Sequence, residues 1–296
     1  MSSPTKISFA RRPSMVPAYA RVLLGRKPYS APDGTVIRPV EIEARKVVLS
    51  QAHLRRYREV CAVPAAATGL PPAYLHVLAM PLHMQLFVVN NFPVKVLGLI
   101  HLRNTIRVLA PVDERVPLRL RVYFDTMRLT DVGQEYDFTT SYEQNGVLVW
   151  EEVSTMFARG NSAPKEGVSR RPVIERSNHP ETGVATETLD VAANTGWRYA
   201  RVSGDFNPIH LTARTAQMFG FKQAVAHGMW SMGRCLAAAS AHMSNMKIQV
   251  DTQFKLPVYI PSQALARTWP VAGGNEISMC TMKGDRLHLA MQVRSL

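Results

Sequence analysis

YARVSGDFNPIHLTARTAQMFGFKQAVAHGMWSMGRC, the run from Tyr199 to Cys235, holds two places where chemistry can be built. In the first, Ser203-Gly204-Asp205-Phe206-Asn207-Pro208-Ile209-His210, a carboxylate and an imidazole stand five residues apart around a stiff turn. Gly204 permits a sharp change of direction, while Pro208 fixes its own φ and pushes Asn207 out of the helical region. Asp205 and His210 can thus converge on one point, as a general acid/base pair requires. The second place is Ala226-His227-Gly228, followed by a helix-like run over Met229–Met243. A glycine opening a buried helix leaves backbone N–H groups where the dipole is positive, and such groups can hold an oxyanion.

Working outward, the same order of elements occurs twice. In the second half, Thr186–Val191 reads as strand and Ala192–Val202 as helix. Thr212 then caps a short helix over Ala213–Phe219 that Gly220 ends. Four strands follow the Met229 helix, over Lys247–Phe254, Gln263–Pro270, Glu276–Lys283 and Arg286–Val293. In the first half, Val36–Leu49 reads as strand, Gln51–Val60 as a surface helix, and Leu70–Val89 as a buried helix kinked at Pro81. Four strands follow there too, over Gly98–Leu109, Val116–Phe124, Glu135–Tyr142 and Val147–Arg159. Asn145-Gly146 marks a hairpin between the last two. Residues 1–20, broken by Pro4, Pro13 and Pro17, read as irregular, and Tyr19–Leu24 as a short strand or a turn of helix. One long helix against an antiparallel sheet, made twice, is an α+β tandem hot-dog layout. The divisions expected are a degenerate first domain over 1–159, a polar, proline-rich linker over 160–184 and a catalytic domain over 185–296.

The chain has 296 residues, 46% of them hydrophobic, enough for two ordinary cores. Its formal net charge of +13 suits an acidic partner, a phosphate-bearing substrate or a solvated basic surface. No zinc-ligand spacing, aromatic ribonucleoprotein motif or arginine-rich helix accompanies that charge, so nucleic acid is not the expected partner. Cys61, Cys235 and Cys280 are dispersed and odd in number, which fits a reducing compartment, and a cytoplasmic protein is expected. No apolar run approaches bilayer length, so no membrane partner is expected. HxH, HxxxH, HExxH, GxGxxG and P-loop patterns are absent, so neither a metal nor a nucleotide cofactor is expected.

Tyr199, Ser203, Gly204, Asp205, Asn207, Pro208, Ile209 and His210, with the downstream His227-Gly228, resemble the motif of the MaoC-like, R-specific enoyl-CoA hydratases and 3-hydroxyacyl-thioester dehydratases. That resemblance covers the third quarter of the chain. It implies a double hot-dog with one continuous sheet around both helices, and a lyase acting reversibly on trans-2-enoyl thioesters. Asp205 and His210 would share one water, and the Gly228 N–H would hold the thioester oxyanion. Coenzyme A or an acyl carrier protein would enter only as the substrate's carrier, and the chain could stand alone or form a homodimer.

Supporting positions are Asn207, which could orient the turn, bind the water or cap the next helix, and Ser203 and His227, both read as structural. Tyr199 reads as core. Where the best-studied relatives carry a small hydroxyl residue further along the helix, the residues here are Cys235-Leu236. The first half has His76 and His83 but no matching turn, so it is read as non-catalytic, lending its apolar helix to the acyl chain. Competing readings are a hot-dog thioesterase, a non-catalytic acyl-thioester binder and, on charge alone, a nucleic-acid binder.

Overall fold

The computed structural model describes residues 5–24, 28, 31–32, 35, 37, 39–88, 92–159, 183–240 and 247–296. They fall into two compact units that do not follow chain order. The first holds residues up to 48, then 78–104 and 113–172; the second holds 49–77, 105–112 and 173–296.

In the first unit, strands β1 (Thr5–Arg11), β2 (Val40–Val47), β4 (Leu118–Thr130), β5 (Gly133–Gln144) and β6 (Val147–Arg159) lie side by side. Beyond β6 comes β3 (Ile100–Val108), whose residues belong to this unit up to Asn104 and to the second from Thr105 on. Neighbours are antiparallel from β2 through β6, whereas β1 runs parallel to β2. Tyr136, Phe138, Thr140 and Tyr142 alternate along β5 and face inward, all buried. Helix α3 (Tyr74–Val88) is apolar on every side, as a helix enclosed by a core must be. Its second half lies on β5: the Phe87 and Phe138 rings meet edge to face at 5.3 Å, and His83 Nε2 is 2.8 Å from Thr140 Oγ1. The opposite face of β5 carries Glu135 and Asp137, also buried. Arg128 neutralises Asp137 through paired bonds of 2.6 and 2.8 Å, and Thr155 donates to the same carboxylate. Asn145 and Gly146 take φ of 51° and 80°, the left-handed pair that closes the β5–β6 hairpin at Gln144 and Val147.

The second unit repeats the scheme. Strands β8 (Ile248–Phe254), β11 (Leu287–Ser295), β10 (Gly274–Thr281), β9 (Ser262–Val271) and β7 (Ala185–Val191) form an antiparallel run in that order. Helix α6 (Gly228–Ala238) lies on it, with Phe254 of β8 beside Gly228. Helices α2 (Gln51–Val60), α4 (Thr195–Ser203) and α5 (Ala213–Gln217) complete the unit. The chain is thus an α+β double hot-dog.

Two expectations change. Residues 5–20 are not irregular: they hold β1 and the first half of α1 (Val16–Leu24), and residues 1–4 lie outside those described. Strand β1 pairs Thr5 with Val40, a contact that local pattern does not reveal. The central helix of the second unit is shorter than the run over Met229–Met243, ending at Ala238 with a cap at Ala239; residues 241–243 lie outside those described. So does the expected linker over 160–184, apart from its last two residues.

Candidate active site

Helix α4 ends at Ser203 because Gly204 turns left-handed (φ 77°), its N–H closing on the Ala200 carbonyl at 2.7 Å. Asp205 then uses its two carboxylate oxygens differently. Oδ1 accepts the Asn207 N–H at 3.1 Å, the local turn that its residue type favours. Oδ2 is left to face two imidazoles, 3.8 Å from Nε2 of His210 and 3.8 Å from Nε2 of His227. Asn207 Oδ1 accepts the Ile209 N–H at 3.4 Å and, with Pro208, starts the 3₁₀ turn Pro208–His210 that carries His210 back over Asp205. Ser203 is structural: its Oγ accepts the Asp205 N–H at 3.1 Å.

Partners fix both tautomers. His210 Nδ1 lies 2.7 Å from the Val225 carbonyl, which can only accept, so Nδ1 carries the proton and Nε2 presents a lone pair toward Asp205. His227 Nε2 lies 2.9 Å from the Asp205 backbone carbonyl and must donate to it; its Nδ1 is buried without a partner among the described residues. The two rings stack at 3.7 Å and 26°, and the buried ring of Tyr199 lies 4.9 Å from His227. Tyr199 is therefore core, and it backs the site.

Charge follows from the packing. Burial pushes both imidazoles down, His227 to about 3 and His210 to below its usual value, although Asp205 pulls the other way on each. Burial pushes the Asp205 carboxyl up, but His227 and His210, with the Asn207 N–H and His76, outweigh it and leave the group below its usual range. At neutral pH the site is a carboxylate beside two neutral rings. At 3.8 Å, Oδ2 and His210 Nε2 are too far apart to bond, and both are acceptors. One water fits between them by donating to both, which turns its oxygen lone pairs outward.

Gly228 starts α6 directly after His227, so the first N–H groups of the helix have no intrahelical acceptor. A side chain there would press on Phe254, 3.2 Å away. Ligand atoms of Asp205, His210 and His227 lie within 4.8 Å of one another, close enough to suggest a metal. The donor set does not fit one tightly, because His227 Nε2 carries a proton engaged by a carbonyl and only two atoms stay open. Cys61 and Cys235 are buried and burial pushes each up to about 12, so neither thiolate is available as a nucleophile.

Three contributors escaped the sequence reading. His76, set aside with the first half, belongs to the second unit and acts on Asp205, while His83 is engaged in the first unit. Ser231 places a buried hydroxyl one turn into α6, donating to the His227 carbonyl at 3.4 Å. Gly196 lies where an added Cβ would come 1.8 Å from the His210 carbonyl oxygen. None has a local signal; each depends on which segment folds against which.

Residues 175–288 match the MaoC like domain. The chain is 28% identical over 238 residues to 3-hydroxyacyl-thioester dehydratase X of Mycobacterium tuberculosis (strain ATCC 25618 / H37Rv), covering 78% of this chain and 83% of that one. A crystal structure of HtdX from M. tuberculosis superposes with a TM-score of 0.73 at 25% identity, over 86% of this chain and 100% of the other. A shorter likeness, 32% over 75 residues, links it to the mitochondrial 3-hydroxyacyl-[acyl-carrier-protein] dehydratase of Arabidopsis thaliana, covering 25% of this chain and 45% of the relative.

Proposed function

We propose that the protein, whose residues 175–288 match the MaoC like domain, is a hydro-lyase that hydrates trans-2-enoyl thioesters reversibly to (R)-3-hydroxyacyl thioesters, carried on coenzyme A or an acyl carrier protein. The observation that carries this reading is the pair of open acceptors, Asp205 Oδ2 and His210 Nε2, held 3.8 Å apart. A water donating to both presents its oxygen to Cβ of the enoyl group. As the C–O bond forms, one water proton passes to the dyad, and the dyad returns a proton to Cα, so no net charge is left. The electron pair displaced from the double bond moves toward the thioester oxygen, where the Gly228 N–H at the positive end of α6 stabilises it. Dehydration is the same path in reverse.

His227 supports this arrangement rather than taking the proton: its Nε2–H is spent on the Asp205 carbonyl, and its ring backs His210. Asn207 and Ser203 shape the turn. The chemistry needs no metal or cofactor, and chelation with EDTA should leave turnover unchanged. Three buried cysteines that form no disulfide favour a reducing compartment, which we take to be the cytoplasm; no helix among the described residues is long and apolar enough to cross a membrane.

The test follows loss of enone absorbance with enoyl-CoAs of several lengths, while free thiol is monitored in parallel. Absorbance should fall without thiol release, and Asp205→Asn and His210→Ala should each lower kcat by about 10²–10⁴-fold. The product should be inert to an S-specific 3-hydroxyacyl-CoA dehydrogenase. Thiol release at the same rate would make the protein a thioesterase and overturn the reading.

A further inference from the structure

Helices α2 and α4 pack against each other in the second unit. His53 Nε2 of α2 lies 2.9 Å from the Val202 carbonyl of α4. Each buries one face, through Leu54, Tyr57 and Val60 on α2 and Tyr199, Ala200 and Val202 on α4. The outward faces carry Arg55 and Arg56 on one helix and Arg198 and Arg201 on the other, all exposed, against a single acid, Glu59. None of these four arginines forms an ion pair among the described residues. Arg58, Arg234 and Arg294 of the same unit are engaged by the Ala67 and Gly69 carbonyls, Glu187 and Asp251. Trp197, beside Arg198, is 41% exposed and meets the Phe206 ring edge to face. Phe206 follows Asp205 in the chain, and α4 ends two residues before that carboxylate.

We propose that this two-helix face is the docking surface for an acidic, helical acyl-carrier domain, which delivers its thioester to Asp205 and His210. The proposal rests on the hydratase reading and deepens it by naming the carrier. A nucleotide diphosphate is gripped by a compact group of donors. Here the cations are spread over two helices, and Arg198 and Arg201, three residues apart, share one helix face, a spacing that a partner helix bearing acids can match. An exposed tryptophan next to Arg198 and one turn from Arg201 is also the composition that protein interfaces concentrate at their centres. Unpaired guanidinium groups draw an acidic domain in from a distance and fix its orientation.

The test presents one 3-hydroxyacyl group on acyl carrier protein, on coenzyme A and on pantetheine alone. It compares the native chain with Arg55→Glu/Arg56→Glu and Arg198→Glu/Arg201→Glu. With the carrier protein, kcat/KM should fall at least about tenfold through KM, as should the native value in about 0.5 M salt, while pantetheine turnover stays within about twofold. An equal loss on coenzyme A would assign the face to nucleotide phosphates, and no loss on the carrier protein would make it a solvated surface; either overturns the proposal. Arg56→Gln/Arg201→Gln, which removes charge without reversing it, stands in if a reversal unfolds the chain. Fluorescence anisotropy of labelled holo-carrier protein separates the two readings. Binding that the charge reversals abolish, with no carrier turned over, keeps the docking and sinks the hydratase; turnover without such binding does the opposite.

Discussion

Asp205 gives one oxygen to its own turn and leaves the other facing His210, so its structural role and the proposed catalytic one are compatible. With that carboxylate ionised and His210 neutral, activity should be level above pH 6.5, the usual imidazole value, and fall below it as His210 gains a proton. A pH–kcat/KM profile whose acid limb lies above 6.5 would contradict this. Stability has the same sign. His210 and His227 are held below their unfolded values, so between those values the unfolded chain binds more protons and folding weakens as pH falls. Thermal midpoints should therefore drop from about pH 7 to about pH 4, and His227→Gln should flatten that slope. Gly196 acts through another residue: Gly196→Ala sets a methyl 1.8 Å from the His210 carbonyl oxygen and must shift either α4 or the 3₁₀ turn. We expect about 1–3 kcal/mol of destabilisation. The kcat should fall with little change in KM, and the acid limb of the pH profile should move; a shift in thermal midpoint alone would make Gly196 merely structural. The convergence of Asp205 and His210, and the helix start at Gly228, were legible in the sequence because glycine, proline and the two titratable side chains occupy one short turn and one helix start. Gly196 and His76 were not, because their roles arise from close approach across space.

Helix α2 lies early in the chain yet braces the second unit. Ser50 caps it by accepting the His53 N–H, and His53 Nδ1 accepts from the Tyr74 hydroxyl at 3.0 Å while Nε2–H donates to the Val202 carbonyl. From the other side, Trp230 Nε1 of α6 donates to the Val60 carbonyl at 2.9 Å. Gly233 lets Tyr57 close on α6: an added Cβ would come 2.8 Å from the Tyr57 hydroxyl and 3.0 Å from Cys61 Sγ. His53→Phe should then cost about 1–3 kcal/mol, because the Val202 carbonyl loses its side-chain donor just before the turn that carries Asp205 and His210. Chemical denaturation would measure it, and an unchanged midpoint would remove α2 from this role. At this scale the sequence was informative wherever pattern is local. Helix α2 matches the expected Gln51–Val60, and Asn145-Gly146 closes its hairpin. Strand β1 was hidden because its partner lies 35 residues away, and β4 runs to Thr130, past the expected end at Phe124. Neither docking partner nor strand length is encoded in a period of two.

The compact units cut across the repeat that the sequence displays, and this bears on what can fold alone. The unit holding Asp205, His210 and Gly228 takes residues 49–77 and 105–112 from the first half of the chain. Through them it gains the buried face of α2, the Val60 carbonyl for Trp230, and Thr105, whose hydroxyl donates to Asp251 of β8 at 2.9 Å. A fragment of residues 173–296 keeps every residue assigned to the chemistry, apart from the electrostatic help of His76, but exposes Gly233, Trp230 and the α4 face that met His53. Burying apolar side chains is the main force holding a domain of this size, and removing one helix from its core takes away several kilocalories of the small net stability. The fragment should lack a cooperative thermal transition and near-ultraviolet circular dichroism, and it should be inactive on pantetheine thioesters, which need no docking surface. Activity should return when the remaining chain is supplied in trans. A 173–296 fragment that melts cooperatively and turns over substrate at the full-chain rate would mean that the first half serves the acyl chain or the carrier alone, and that the catalytic turn is set by its own sequence.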